Sequence, residues 1–414
     1  MPSRLLLAGL VAVAAAGCGG GGAAKQADKP EYSREAQEAL DELDENSRPR
    51  DETERIAEML GERARAMQDA DALALSATAT GGQQARDRRS ARRAKRLAIE
   101  RVRLVADDLQ TDGDRAKAVV TMSYRIRGLR RPFVTERKLV VRQRSVGWRI
   151  VRDAARREPL PWEVAAFKAT RVPHVVLLTP PGVDVAPLRD GLAQAYRAIR
   201  RDLPARDLPR SVLVIGARDP AQAERLTGRI ARGVVALANV AVEYGPGPAF
   251  EVERVLAQRM MVIDSRWHPL PADKRQATLV HEMTHTALNP DTSGRTPPWL
   301  VEGVAMYVSG DDRSEEARLR AAGAAQSAKL SELCKPNSIF RRLSGREQAA
   351  AYAASSAAAE AIVARRGAKG LFRLYDAFND STINGPTCAT TTDRVLRRTV
   401  DLSLDELDAA IAGG

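Results

Sequence analysis

Two histidines four residues apart, with a carboxylate directly after the first, constrain this chain more than any other feature: His281-Glu282-Met283-Thr284-His285. Positions i and i+4 of a helix project from one face, so both rings can reach one ion if this stretch is helical, with Glu282 beside them. The chain has only four histidines, so the pair is not a by-product of histidine-rich composition. The flanking pattern predicts a helix from near Ala272 to Leu288, stopped by Asn289-Pro290. We read the pentad as a zinc site.

A catalytic zinc takes three protein ligands and keeps a fourth position open for water, and two histidines with one glutamate form a recognised set. Glu302 is the expected third ligand. It lies in Trp299-Leu300-Val301-Glu302-Gly303-Val304-Ala305-Met306-Tyr307, a short loop beyond the pentad. Pro297 and Pro298 suit the opening turn of a helix there, with Thr296 as its cap. Asp291, Asp311 and Asp312 compete on residue type, but they sit in turn-like sequence, where a carboxylate is usually a turn former or solvated.

The two segments together resemble the gluzincin metallopeptidases, and the Trp299–Tyr307 segment is similar to the version found in the peptidase MA-like group of exported bacterial proteins. The similarity spans residues 172–380, and its specific part is the two motifs. It implies that His281, His285 and Glu302 hold one catalytic Zn2+, that Glu282 is the general base, and that the reaction is peptide-bond hydrolysis. It further implies a mixed sheet above an active-site helix with a mainly helical lower part. Tyr352, in Tyr352-Ala353-Ala354-Ser355-Ser356, resembles the tyrosine that opens a later helix in related chains and is one candidate oxyanion donor; Tyr307 is the other. The sequence departs from many relatives at Met306, where an acidic residue commonly stands four positions after the third ligand. The strand Met260 to Asp264 is read either as a sheet edge for an extended substrate or as a buried strand. His174 and His268 have no partners at ligand spacing and are read as structural.

The chain opens with one positive charge, an apolar run from Leu5 to Ala16 and Gly17-Cys18, the outline of an export signal over residues 1–17. Ala15-Ala16-Gly17-Cys18 resembles a bacterial lipoprotein box, departing from it at Ala15. That resemblance implies lipid on Cys18 and a chain anchored at the outer face of the cell membrane. Residues 18–50 are glycine-rich and then charged, which suits a tether. Export brings Cys334 and Cys388 into an oxidising compartment, where they either pair or stand as separate buried thiols. Arginine dominates the net charge of +12. If 86–96 is helical, Arg89, Arg92, Arg93 and Arg96 form a stripe that either is simply solvated or meets anionic lipid headgroups or an acidic envelope polymer. Nucleic acid fits poorly, because no aromatics interleave with these arginines.

The apolar share of 44% and the length of 414 residues support two cores in an α+β chain. Over 51–155, helices near Ile56 to Met67 and up to the arginine stripe precede strands at Ile99 to Asp107, Lys117 to Ile126, Pro132 to Gln143 and Gly147 to Val151. This order resembles the nuclear-transport-factor-like or SnoaL-like cone, read here as a binding or spacing module. Residues 154–172 read as a connector and 172–414 as the metallopeptidase domain, with strands at Val175 to Leu178, Ser211 to Ile215, Gly233 to Glu243 and Met260 to Asp264. Helices are expected at Val185 to Arg200 and Pro220 to Thr227. Two other functions stay open: a non-catalytic envelope-binding lipoprotein with a structural or vestigial metal, and hydrolysis of an amide in a cell-wall peptide or of a non-peptide bond.

Overall fold

Alternating burial along β-strands and a 3.6-residue apolar period along helices place almost every element where the sequence pattern puts it. In the computed structural model the described residues are 51–413, less 157, 204–207, 209–210, 229–233, 245–251, 289–291, 293–294, 311–328, 335–344, 381 and 384. The expected signal, Cys18 and the expected tether, along with Asp291, Asp311 and Asp312, lie outside them.

Three helices come first: α1 (Glu52–Gln68), α2 (Ala72–Ala77) and α3 (Gly82–Ala94). Asp51 and Asp71 cap the first two, each carboxylate accepting backbone N–H bonds of the opening turn. An antiparallel four-stranded meander follows, β1 (Ile99–Asp112), β2 (Arg115–Ile126), β3 (Phe133–Arg144) and β4 (Gly147–Ala155). Gly113 takes φ +54° in the first hairpin turn, a conformation L side chains rarely adopt. Register shifts along β1 and between Val140 and Val141 bend the sheet around the helices.

A one-turn helix α4 (Pro161–Val164) leads into a second, mixed sheet of β5 (Lys168–Val172), β6 (Val175–Thr179), β7 (Val212–Ala217), β8 (Ala236–Tyr244) and β9 (Val252–Ile263). Its order is β5-β6-β7-β9-β8; β6, β7 and β9 run parallel, while β5 and β8 are antiparallel edges. Around it lie α5 (Val185–Asp202), α6 (Pro220–Thr227), α7 (Asp264–Trp267), α8 (Ala272–Leu288), α9 (Pro298–Ser309), α10 (Gly345–Ala377, kinked at Gly367), α11 (Cys388–Val400) and α12 (Leu404–Gly413). The chain is thus mixed α+β, with one antiparallel and one mixed sheet.

Three sequence expectations change, and one pair of alternatives is decided. The connector carries α4 and the edge strand β5, too short and too polar to stand out by alternation. The strand at Met260 is the buried one of its two readings, interior between β7 and β8, and the edge on that side is β8. Pro297, not Thr296, occupies the cap position of α9, with Pro298 as its first residue and Thr296 buried. The arginine stripe is broken: α3 ends before Arg96, and Arg93 turns inward to donate to the Glu163 carbonyl at 2.8 Å.

The two faces of the second sheet belong to different cores. One face (Val175, Leu177, Val212, Val214, Met260, Val262) packs on α5, α8, α9 and α10 through Leu188, Leu279, Met283, Leu300 and Ala358. The opposite face (Val176, Leu178, Leu213, Ile215, Met261, Ile263) is covered by Met122, Tyr124, Ile126 and Leu129 of the meander side, with Leu97, Trp162 and Phe167. Asp51–Gly414 forms one compact unit. Polar ties reinforce the seam: Arg259 donates to Glu158 at 2.6 Å, and the Arg130 N–H to Ser211 Oγ at 3.0 Å.

Candidate metal centre

Helix α8 carries its apolar residues Leu279, Val280, Met283 and Ala287 into the sheet-side core, and this rotation turns His281 and His285 together toward α9. Glu302 sits in the second turn of α9, and two contacts of α9 fix where it points. Trp299, Leu300 and Val304 enter the core shared with α8. On its other side α9 crosses α10 at Gly303, where an added Cβ would stand 2.4 Å from the Ser355 carbonyl oxygen, 3.1 Å from its carbon and 3.3 Å from Ala359 Cβ. Only a residue without a side chain permits that approach, so the glycine beside the carboxylate sets how deeply α9 seats.

The three potential ligand atoms form a small triangle. His281 Nε2 and His285 Nε2 are 3.1 Å apart, and each is 3.3 Å from Glu302 Oε2. A tetrahedral ion with arms of about 2.0–2.1 Å separates its ligand atoms by roughly 3.3 Å. Among the described residues this is the cluster of histidine, cysteine and acidic side chains able to hold an ion. Glu302 Oε2 is buried, and no contact to it has hydrogen-bond geometry. A buried carboxylate oxygen without a donor is costly unless a cation satisfies it. Burial works to raise the Glu302 carboxyl, but the imidazoles of His285 and His281 outweigh it and hold it well below the usual carboxylate range. Two nitrogens and one oxygen at this spacing fit zinc by residue type and by distance.

Glu282 is half-buried on α8, and no described residue partners its carboxylate, which leaves it available to a mobile proton donor. Met306, one turn beyond Glu302, is buried. Tyr307 falls about 140° around α9 from Glu302 by helical arithmetic, and its side chain is 37% exposed. Tyr352 lies one turn before Ser355 on α10, on the stripe Tyr352-Ser355-Ala359 that meets α9, and it is half-buried against the core. Cys334 and Cys388 are joined in a disulfide with Cα atoms 5.8 Å apart, tying the turn before residue 335 to the start of α11. His174 stacks on Tyr196 with ring centres 4.3 Å apart, and His268 caps α7.

Sequence reasoning missed a second polar cluster inside the meander half. Arg63 of α1 grips Asp87 of α3 with two bonds of 2.8 and 2.9 Å and reaches Asp153 of β4 at 2.9 Å. Arg137 of β3 bonds Asp153 and, at 2.6 Å, Glu163 of α4. Gln83 and Thr78 complete the set, donating to Asp87 and accepting from Arg63. The missed signal was parity: Arg63 shares the apolar stripe of Met59 and Met67, and Arg137 the inward face of Leu139 and Val141. Every charge here has an opposite partner, which makes the cluster a support for the fold.

The chain matches no family model, no curated protein and no solved structure.

Proposed function

We propose that the chain is a zinc-dependent peptidase of gluzincin type, anchored by lipid on Cys18 outside the cell membrane. The observation that carries the proposal is the triangle of His281, His285 and Glu302, with a buried carboxylate oxygen that lacks a hydrogen bond and, directly after His281, Glu282 with no partner among the described residues. A zinc ion held there supplies a Lewis acid that acidifies a water and polarises a carbonyl. Glu282 takes a proton from the attacking water and returns it to the leaving nitrogen. Tyr352 is the better placed of the two tyrosines to donate to the developing oxyanion, because its stripe of α10 faces α9. Among the described residues β8, antiparallel to β9, is an edge strand of the mixed sheet, the kind of edge an extended peptide can pair with. Together the mixed sheet, the motif helix beneath it and the mainly helical remainder support a zincin-like arrangement. Among the described residues no helix is long and apolar enough to cross a membrane.

A digest of a peptide library by the full chain and by Glu282→Gln tests the reading. Cleavage by wild type, lost in Glu282→Gln while bound zinc stays equal, is the expected result. Equal cleavage by both proteins, or none by either with zinc bound, overturns it.

A further inference from the structure

Among the described residues, the outward face of α3 and the turn after it form a cationic surface without acidic partners. Arg88, Arg89 and Arg92 on the helix, Lys95 at its C-cap and Arg96 just beyond are all exposed, and no described residue pairs with any of them. The only acid on the helix, Asp87, is buried and consumed by Arg63 and Gln83, so no carboxylate of α3 offsets them. Elsewhere on this half exposed arginines do find acids: Arg156 bonds Glu136 at 3.0 Å and Arg127 bonds Glu100 at 2.7 Å. Five cations within nine residues, none paired among the described residues, repel one another. The inward face explains how they are held: Gln83, Asp87, Ala91 and Ala94 are buried, and Arg93 is tied to α4, so α3 cannot rotate to disperse the charge. Leu73, on the short helix packed against α3, stands 76% exposed.

We propose that this face of α3 docks on anionic phospholipid. Charge complementarity calls for an anionic partner, and an aliphatic side chain standing in solvent on the adjoining helix suits a headgroup layer better than a soluble polyanion. Only 32 residues separate Cys18 from Asp51, so a lipid on that cysteine would raise the concentration of headgroups the described residues meet. The proposal rests to that extent on the lipoprotein reading. Docked in this way, the meander half sets the orientation of the metal centre above the membrane.

The test uses residues 18–414 carrying Cys18→Ser, so that no lipid contributes, sedimented with vesicles of phosphatidylcholine with or without about one-third phosphatidylglycerol. Each cation near an anionic surface changes partitioning about fivefold. Wild type should therefore bind only the anionic vesicles, more weakly as salt rises, and Arg89→Ala/Arg92→Ala/Arg96→Ala should lose about a hundredfold with unchanged thermal melting. No binding to anionic vesicles, equal binding by the triple variant, or binding to soluble heparin without binding to vesicles overturns the proposal. Mass spectrometry of the chain recovered from bacterial membranes tests the anchor separately. An unacylated Cys18 with vesicle binding intact removes the anchor and supports the surface; an acylated Cys18 with no vesicle binding removes the surface.

Discussion

At the scale of single residues, the proposed reaction depends on one carboxylate that would carry protons, and the ligand triangle on one glycine that positions another. Glu282→Gln should lower turnover by about 10²–10⁴-fold, the range lost with a general base, while bound zinc is unchanged; turnover with a chromogenic peptide checks it. Gly303→Ala forces a methyl group against the Ser355 backbone, an overpacking expected to cost about 1–3 kcal/mol. Because Glu302 is the adjacent residue, the same change should weaken zinc binding, read by competition with a chelator beside a thermal melt. A variant as stable as wild type with undiminished affinity contradicts the positioning role. The pentad was legible because helical period alone brings i and i+4 together, and Glu302 because two prolines open its helix. The reason for Gly303 was not, since a crossing with a helix about fifty residues later leaves no local pattern.

At the scale of elements, the buried network binds α1, α3, β3, β4 and α4 into one half. Removing one member of such a network leaves an uncompensated buried charge, so Arg63→Ala should cost about 3–5 kcal/mol in chemical denaturation. Burial works to raise the Asp153 carboxyl, but Arg137 and Arg63 outweigh it and hold it below its ordinary value of 3.8. A depressed folded-state pKa contributes stability above the unfolded value, and that stability is lost as pH falls through the folded one. Acid unfolding should therefore steepen below about pH 4 in wild type, and Asp153→Asn should be less stable at neutral pH with a flatter acid limb. An identical pH profile in the variant contradicts the assignment. Strands and helices were legible from period. The network was not, because five charged residues spread between positions 63 and 163 each read singly as solvated.

At the scale of the whole molecule, the two sheets share a core, and the face of the mixed sheet opposite the candidate metal centre is finished by the meander half. The sequence suggested two cores joined by a connector. What it could not reveal is that the apolar strands β6 and β7 and the apolar end of β9 are covered on one face by the meander half, through residues such as Leu97, Met122, Tyr124 and Ile126. Residues 165–414 expressed alone should therefore expose Leu178, Leu213, Ile215, Met261 and Ile263, and should fail to melt cooperatively. A soluble, cooperative fragment that binds zinc contradicts this. Reduction of the Cys334–Cys388 bridge, which closes a span of 54 residues, should lower stability by about 4 kcal/mol in the chain-entropy description. Zinc stoichiometry and affinity of the purified chain, compared with Glu302→Gln, decide whether the triangle holds a metal. One equivalent bound by wild type, with an affinity at least a hundredfold weaker in the variant, is the expected result. Metal-free wild type, or equal affinity in both, contradicts it.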